Sequence, residues 1–182
     1  MSVLTVPFDR LTRLARAMEI VTTLGIALVI AGMVACFLIP DWTRNLLLAK
    51  LGQVGAALPI TPQARLAAAG AVTLPVVVMV YGLFAVRALF RECARGRALT
   101  VRAAHHLQVF ASSVALQAPL GPLTSALLSV AVSMADPSGQ RLSAITFSLH
   151  DYYALIIGGA LFAAATVLRE AARLADENAK FV

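Results

Sequence analysis

Four long apolar runs, separated by shorter polar blocks, dominate the pattern of hydrophobic and polar positions along this 182-residue chain. The runs occupy residues 20–40, 66–86, 107–135 and 152–168, and none of them contains Asp, Glu, Lys or Arg. About 20 consecutive apolar residues suffice for a helix to cross the hydrocarbon core of a bilayer. The pattern therefore predicts an all-α integral membrane protein whose membrane domain, residues 19–168, contains four transmembrane helices.

The third run is longer than the others and contains residues that disrupt helices. Its 29 residues would form a helix of about 43 Å, whereas the hydrocarbon core is about 30 Å thick. Pro119, Gly121 and Pro122 interrupt this run, and proline is a usual cause of sharp helix kinks. We therefore expect a long third span that is kinked at its prolines or strongly tilted.

The segments outside the apolar runs carry patterns of their own. Residues 1–18 combine three arginines with apolar residues at helical spacing, which predicts a cytoplasmic amphipathic segment at the membrane surface. Residues 169–182 mix both charges and predict a cytoplasmic helical tail, in which Arg173 and Glu177 are spaced as an i,i+4 pair. Residues 46–51 are typical of a helix resting on the membrane, and residues 142–147 alternate weakly, as an extended segment would.

Three local signals predict where helices begin and end. Gly96 follows a helical pattern and is a favoured residue just past a helix C-terminus. Thr100 is a favoured N-cap for the helix that comes next. Ser148 and Asp151 have the spacing of a capping box, which predicts the start of the fourth helix.

The distribution of basic residues predicts the orientation in the membrane. Residues 1–18, 87–106 and 169–182 hold eleven Lys and Arg, whereas the segments 41–65 and 136–151 hold four. Lys and Arg are enriched in the cytoplasmic loops of membrane proteins. We therefore expect both termini and the basic stretch 87–106 to be cytoplasmic.

Thirteen arginines against two lysines, together with abundant alanine, indicate a GC-rich bacterial genome and hence a bacterial inner-membrane protein.

The overall composition excludes several classes of protein. Hydrophobic residues make up 60% of the chain and charged residues 13%, too little charge to cover a soluble core of this size. The net charge of +6 comes from residues clustered at membrane borders, which favours contact with lipid headgroups over direct binding of nucleic acid. The two cysteines, Cys36 and Cys93, are too few for a disulfide framework or a metal cluster.

A basic rim is the first candidate functional surface. Topology and contact with anionic lipid explain it simply. The alternative is a docking surface for a cytoplasmic protein, in which the charged residues of the tail take part. The candidate contact residues are Arg91, Arg95, Arg97, Arg102, Arg169, Glu170, Arg173 and Glu177.

Gln117 is a candidate polar site inside the membrane, since it lies just before the prolines of the third span. It would contact a solute or form a gate if the broken helix lines a pathway; otherwise it forms an interhelical hydrogen bond that fixes packing. Small residues recur four apart in several spans, for example Gly159 and Ala163 in the fourth. Such stripes favour close helix packing.

The sequence predicts neither a catalytic centre, a metal site nor a cofactor. His105 and His106 are adjacent, so on a helix they point about 100° apart and cannot both ligate one haem iron. The third histidine, His150, is predicted on the opposite side of the membrane. With Asp151 it is the one candidate acid–base pair, but a helix cap explains Asp151 more simply.

Several segments resemble a known family of bacterial membrane proteins, domain-of-unknown-function family 2975. The matching pieces are LFRECARGRALT (89–100), Gln117-x-Pro119, TFSLHDYYALIIG (146–158) and REAARLADENAKFV (169–182), and the likeness covers nearly the whole chain from the first span on. The resemblance implies four spans, no established activity and no assigned catalytic residues. It also implies pairing with a small helix-turn-helix regulator, because such proteins are often encoded beside family members. The family's recurring basic loop and Glu-Asn ending correspond here to Arg91, Gly96, Thr100, Glu177 and Asn178.

Two functions from different classes remain open at this point. The first is a non-enzymatic sensor or regulatory protein that acts through a cytoplasmic partner. The second is a small oligomeric transporter or channel with Gln117 at its pathway. No Asp, Glu, Lys or Arg lies inside a run, which weakens ion-coupled transport because such coupling normally needs a charged side chain of this kind within the membrane. Four short spans bury little area, which favours a homo-oligomer.

Overall fold

A computed structural model describes residues 6–39, 62–133 and 148–179. It contains four α-helices, α1 (Val6–Leu38), α2 (Pro62–Ala94), α3 (Val101–Ser133) and α4 (Leu149–Ala179). All four are long and apolar enough to cross a membrane, and the described residues contain no strand. The described residues therefore confirm the predicted all-helical class with four helices that are long and apolar enough to span a membrane. The expected features of residues 46–51 and 142–147 lie outside the described residues.

Every helix is longer than a hydrocarbon core requires. The first three contain 33 residues each and α4 contains 31, which corresponds to about 45–50 Å against a core of about 30 Å. Most of the predicted amphipathic segment 1–18 and the first span form one continuous helix, because neither Gly nor Pro occurs between residues 8 and 24. The basic stretch is likewise mostly helical, and only residues 95–100 form a turn between α2 and α3.

The predicted signals at the α2–α3 turn are confirmed by its hydrogen bonds. Gly96 has a positive φ of 74°, a conformation that glycine adopts without steric cost. The amide of Arg97 donates to the Glu92 carbonyl and that of Gly96 to the Cys93 carbonyl, the two bonds of a Schellman motif. Thr100 then caps α3, since its hydroxyl accepts from the Ala103 amide at 3.2 Å.

The start of α4 is fixed by the predicted capping box. The Asp151 carboxylate accepts hydrogen bonds from the Ser148 amide at 2.8 Å and from the Ser148 hydroxyl at 2.9 Å. In return the Asp151 amide donates to the Ser148 hydroxyl oxygen at 3.3 Å. These reciprocal bonds satisfy groups that a helix N-terminus would otherwise leave without partners. The structure therefore supports the simpler interpretation of Asp151, a helix cap.

The helices form an open row in chain order. Extensive packing joins α1 to α2, α2 to α3 and α3 to α4, whereas pairs that are not consecutive make at most marginal contact in the described residues. The helix α3 lies inside the row and is the most buried of the four. Large apolar side chains such as Leu28, Val77 and Ile156 are exposed, as expected when lipid rather than water surrounds the helices.

The helix α4 packs on α3 through a strict seven-residue repeat. Gly158, Ala165 and Ala172 are the buried residues of α4, and every residue of this helix outside one stripe is exposed between 149 and 178. Alternating steps of three and four residues are the seam pattern of left-handed helix packing. The stripe is Asp151, Ala154, Gly158, Leu161, Ala165, Leu168 and Ala172.

The small-residue stripe expected at Gly159 and Ala163 is therefore not the packing face of α4. Both residues are exposed, and a Cβ added at Gly159 would meet no atom within 4 Å. Gly158 is the close-packed position instead, because an added Cβ there would lie 2.5 Å from the Ala115 amide nitrogen. The reason is the repeat length, since packing in this pair follows a spacing of seven residues rather than four.

The other helix pairs also approach closely. The described buried and half-buried positions of α1 include a run with the same three–four spacing, from Thr12 through Ala15, Glu19, Thr22, Ile26 and Val29 to Met33. Between α2 and α3, Gly82 lies so near Ser113 that an added Cβ would be 2.8 Å from the Ser113 Cβ. Both helices continue through their prolines without interruption, and the kink at the third span stays a prediction.

Candidate functional site

The predicted rim residues come together at one end of the helical row. The α2–α3 turn lies there, and the ion pair between Arg91 and Glu19 places the first half of α1 beside the end of α2. Two contacts, Ala115 with Gly158 and Gly121 with Asp151, show that α3 and α4 are antiparallel. The last turns of α4 therefore lie beside the start of α3. We call this region the charged end: residues 13–19, 87–106 and 169–179.

Glu92 is the organising residue of the α2–α3 turn. It is only 6% exposed, and its carboxylate lies 3.0 Å from the Arg97 Nε and 3.6 Å from an Arg95 terminal nitrogen. A buried carboxylate needs such partners, because an unpaired charge away from water is costly. Two residues of the predicted rim, Arg95 and Arg97, thus stabilise the α2–α3 turn through their ion pairs with Glu92.

A second ion pair connects two helices. The Arg91 Nε donates to the Glu19 carboxylate at 3.1 Å, joining α2 to α1 across 72 positions of sequence. The arginine side chain is 50% exposed and that of the glutamate 24% exposed. Sequence reasoning selected Arg91 but missed Glu19 and Glu92. Glu92 had a local signal, since it stands three residues before Arg95, whereas nothing in the sequence connects Glu19 to Arg91.

The charged residues of α4 pair within their own helix. The Arg173 Nε lies 3.0 Å from the Glu177 carboxylate, which confirms the predicted i,i+4 pair, and a terminal Arg173 nitrogen lies 3.9 Å from Glu170. All three side chains are about half exposed or more. Exposed pairs of this kind stabilise a helix only slightly, so this face of α4 remains accessible.

Arg102 and Arg169 differ from the other rim arginines. Both are exposed, and within the described part of the chain neither forms an ion pair with a carboxylate. Arg102 lies in the first turn of α3, one turn before His105 on the same helix face. Their positive charges are therefore available for an anionic partner.

Gln117 forms an interhelical hydrogen bond. Its side-chain amide donates to the Pro75 carbonyl of α2 at 2.9 Å, and the residue is half-buried. This bond connects the two proline-containing helices near the middle of their spans. This geometry agrees with the interpretation of Gln117 as a residue that fixes helix packing, because its side-chain amide already donates a hydrogen bond to another helix.

Replacing Gln117 by leucine should lower stability modestly. Interhelical hydrogen bonds in membranes contribute about 0.6 kcal/mol on average, and about 2–4 °C of melting temperature corresponds to each kcal/mol in a protein of this size. We therefore expect a decrease of about 1–3 °C, measured by thermal denaturation in detergent. The Gln117→Glu variant keeps the shape, but its carboxyl group can donate to the Pro75 carbonyl only when it is protonated, so at high pH this variant should melt lower still. Equal melting of all three proteins, with altered solute flux in proteoliposomes, would support a pathway role instead.

A groove of about 530 Å³ opens between α2, α3 and α4. Its lining is mostly apolar, from residues such as Leu116 and Phe162, but Tyr81, His105 and Gln108 contribute polar groups. The Tyr81 hydroxyl and the Gln108 amide form no hydrogen bond with other described residues. Sequence reasoning missed this groove, because three helices that are separate in sequence form it.

The described residues contain no group of three or more His, Cys, Asp and Glu arranged to hold a metal ion. The rings of His105 and His106 lie 6.1 Å apart and are tilted by 48°. His150 and Asp151 lie at the opposite end of the row, at the start of α4. The structure thus places the rim arginines and the histidine pair at one end of the helical row and the third histidine at the other.

Comparisons of the chain with protein-family models, curated proteins and solved structures find no match. The resemblance to domain-of-unknown-function family 2975 therefore stays a prediction. The structural features that bear on function are the charged end, the groove and the packing of α4.

Proposed function

We propose that this protein is a non-enzymatic bacterial inner-membrane protein that senses a membrane state or ligand and acts through a cytoplasmic protein. Both termini and the α2–α3 turn face the cytoplasm in this proposal, because basic residues concentrate at that end. A small helix-turn-helix regulator is the proposed partner class, on the basis of the family resemblance. The chain itself does not bind nucleic acid directly in this scheme.

The continuity of α4 is the observation that carries the proposal. One uninterrupted helix runs from the membrane-spanning part to Ala179, and Ala165 and Ala172 are buried against the neighbouring helix. Residues 173–179 continue beyond this seam by about 10 Å. A change in the packing of α3 against α4 would therefore move an exposed, charged helix end. Two discrete arrangements of one rigid element are what coupling between two sites requires.

The transporter alternative has less support in the geometry. An open row of four helices encloses no pathway by itself, so transport would require an oligomer. Gln117, the proposed pathway residue, is hydrogen-bonded to Pro75. A solute pathway would need polar groups with free donors or acceptors along it.

The partner proposal is tested by capture from the native host. An N-terminally tagged protein is purified in gentle detergent, and the proteins that accompany it are identified and quantified by mass spectrometry. We expect a small DNA-binding protein in a stoichiometric amount. A truncation after Ala172 should abolish its capture, because this variant keeps the buried seam and, among the residues whose exposure the structure describes (173–178), removes only exposed ones.

A charge swap tests whether the truncation acts by removing charged contacts and not merely by shortening the helix. The double variant Arg173→Glu/Glu177→Arg keeps the net charge and an i,i+4 pair but exchanges the two charges. If the partner recognises this face, the swap should reduce capture as strongly as the truncation. Unchanged capture by both variants, or a clean homo-oligomer without any partner, would contradict the proposal.

A further inference from the structure

We propose that the groove between α2, α3 and α4 binds one anionic phospholipid, with the headgroup at Arg102 and Arg169 and an acyl chain along the groove. The bound lipid would be the signal that the proposed function requires. Only this role as a signal rests on the proposed function. Three features of the groove support this binding: its length, the chemistry along it and the charge at its end.

The groove has the length of one leaflet. Along α3 its lining extends from His105 to Leu116, which corresponds to about 17 Å of helix. Half of a hydrocarbon core of about 30 Å is about 15 Å. The groove begins in the first turns of α3, at the charged end, and ends near the middle of the row. An amphiphile of the adjacent leaflet would therefore occupy it with its headgroup at the charged end.

The polarity along the groove matches the parts of such a molecule. His105 and Gln108 lie near the charged end, and Leu116 and Phe162 line the apolar part. The hydroxyls of Ser112 and Ser113 donate to carbonyls of their own helix, so these groups need no external acceptor. The Gln108 amide has no such partner among described residues. A polar group at membrane depth needs a partner, and the ester oxygens of a lipid would supply it.

The charge at the groove end favours an anion. Arg102 precedes His105 by one helical turn on the face that lines the groove. Arg169 follows Phe162 by seven residues and therefore lies on the same face of α4 as this lining residue. Neither arginine pairs with a carboxylate in the described part of the chain. The rim arginines Arg91, Arg95 and Arg173, in contrast, are already paired.

The test is native mass spectrometry of the full chain in detergent, with dioleoyl phosphatidylglycerol and dioleoyl phosphatidylcholine as probes. These lipids share their acyl chains and differ in headgroup charge. We expect tighter binding of phosphatidylglycerol, and the double variant Arg102→Gln/Arg169→Gln should weaken it by about 30-fold, the effect of losing two basic residues near a membrane surface. The matched control is Arg13→Gln/Arg16→Gln, which removes two exposed arginines of α1 without a described ion pair. It should bind as the wild type does.

A second pair of variants tests the groove itself. Ser112 is exposed and lines the groove, so Ser112→Phe should occupy the chain site and reduce binding of both lipids by 10-fold or more. Thr23→Phe introduces the same ring on an exposed position of α1 and should have no effect. Melting temperatures near that of the wild type would show that all variants fold.

Three outcomes would overturn the inference. Equal loss of binding in the two arginine double variants would indicate diffuse surface charge instead of a site. Competition by glycerol 3-phosphate as strong as that by phosphatidylglycerol would assign the charged end to a free phosphate compound. A Ser112→Phe variant that dissociates a dimer and leaves lipid binding intact would assign the groove to a second copy of the chain. None of these assays contains a cytoplasmic partner, so their failure is distinguishable from failure of the proposed function.

Discussion

Replacing Gly158 by alanine is expected to destabilise the protein much more than the same replacement at Gly159, the other glycine of α4. The added Cβ would lie 2.5 Å from the amide nitrogen and 2.7 Å from the Cα of Ala115. These are backbone atoms of α3, so the helices themselves would have to separate. Overpacking of this kind costs about 1–3 kcal/mol, and we expect the melting temperature in detergent to fall by about 2–12 °C.

The adjacent residue provides the control for this experiment. A Cβ at Gly159 would meet no atom within 4 Å, and alanine is favoured over glycine in a helix by about 1 kcal/mol. The Gly159→Ala variant should therefore melt at or above the wild-type temperature. If the two variants melt alike, α3 and α4 do not pack through the seven-residue seam. If instead Gly159→Ala melts lower than Gly158→Ala, α4 packs through the four-residue spacing of Gly159 and Ala163.

The seam also connects stability to the proposed function. Gly158 lies about 21 Å along α4 from Ala172, and the stripe of buried and half-buried residues between them continues without a gap. Separation of the helices at Gly158 would alter the position of the charged helix end. The Gly158→Ala variant should therefore also weaken partner capture, whereas Gly159→Ala should preserve it.

The second large effect is expected from neutralising Glu92. The Glu92→Gln variant leaves a buried amide where a carboxylate binds Arg97 at 3.0 Å and Arg95 at 3.6 Å. Hydrogen bonds to charged groups contribute about 1.5–3 kcal/mol, and the 6% exposure of Glu92 limits compensation by water. We expect the melting temperature to decrease by about 3–12 °C.

A matched substitution on α4 shows whether the effect of Glu92→Gln comes from the buried position or simply from the loss of one negative charge. Glu170 lies 3.9 Å from Arg173, and its side chain is 60% exposed. The Glu170→Gln variant removes the same charge, but exposed pairs contribute little, so its melting temperature should remain that of the wild type. Equal decreases in both variants would mean that overall charge, and not the buried site, determines the effect of Glu92.

The two ion-pair sites have different consequences for the charged end. Glu92 holds the turn between α2 and α3 and thereby positions Arg95 and Arg97, whereas Glu19 connects α1 to Arg91. Both use arginines that the sequence had marked as candidate contacts. The arginines left for an external anion are therefore fewer than the sequence suggests, and Arg102 and Arg169 become the residues to test first.

The sequence by itself determined the membrane class, the four described helices that are long enough to span a membrane, and several of their ends. Bilayer thickness converts the length of an apolar run directly into a span, so no knowledge of partners is needed. The caps at Gly96, Thr100 and Ser148 are equally local, because each depends on residues within one or two turns.

The tertiary structure decided which faces meet. The helix α4 is rich in small residues, so its sequence satisfies a spacing of four and a spacing of seven at once, and only the packing of α3 selects Gly158 over Gly159. The pairing of Glu19 with Arg91 joins residues 72 positions apart, which no local pattern encodes. The groove is likewise a property of three helices together. Faces, pairs and grooves depend on the geometry between helices, whereas spans and caps depend on the chain alone.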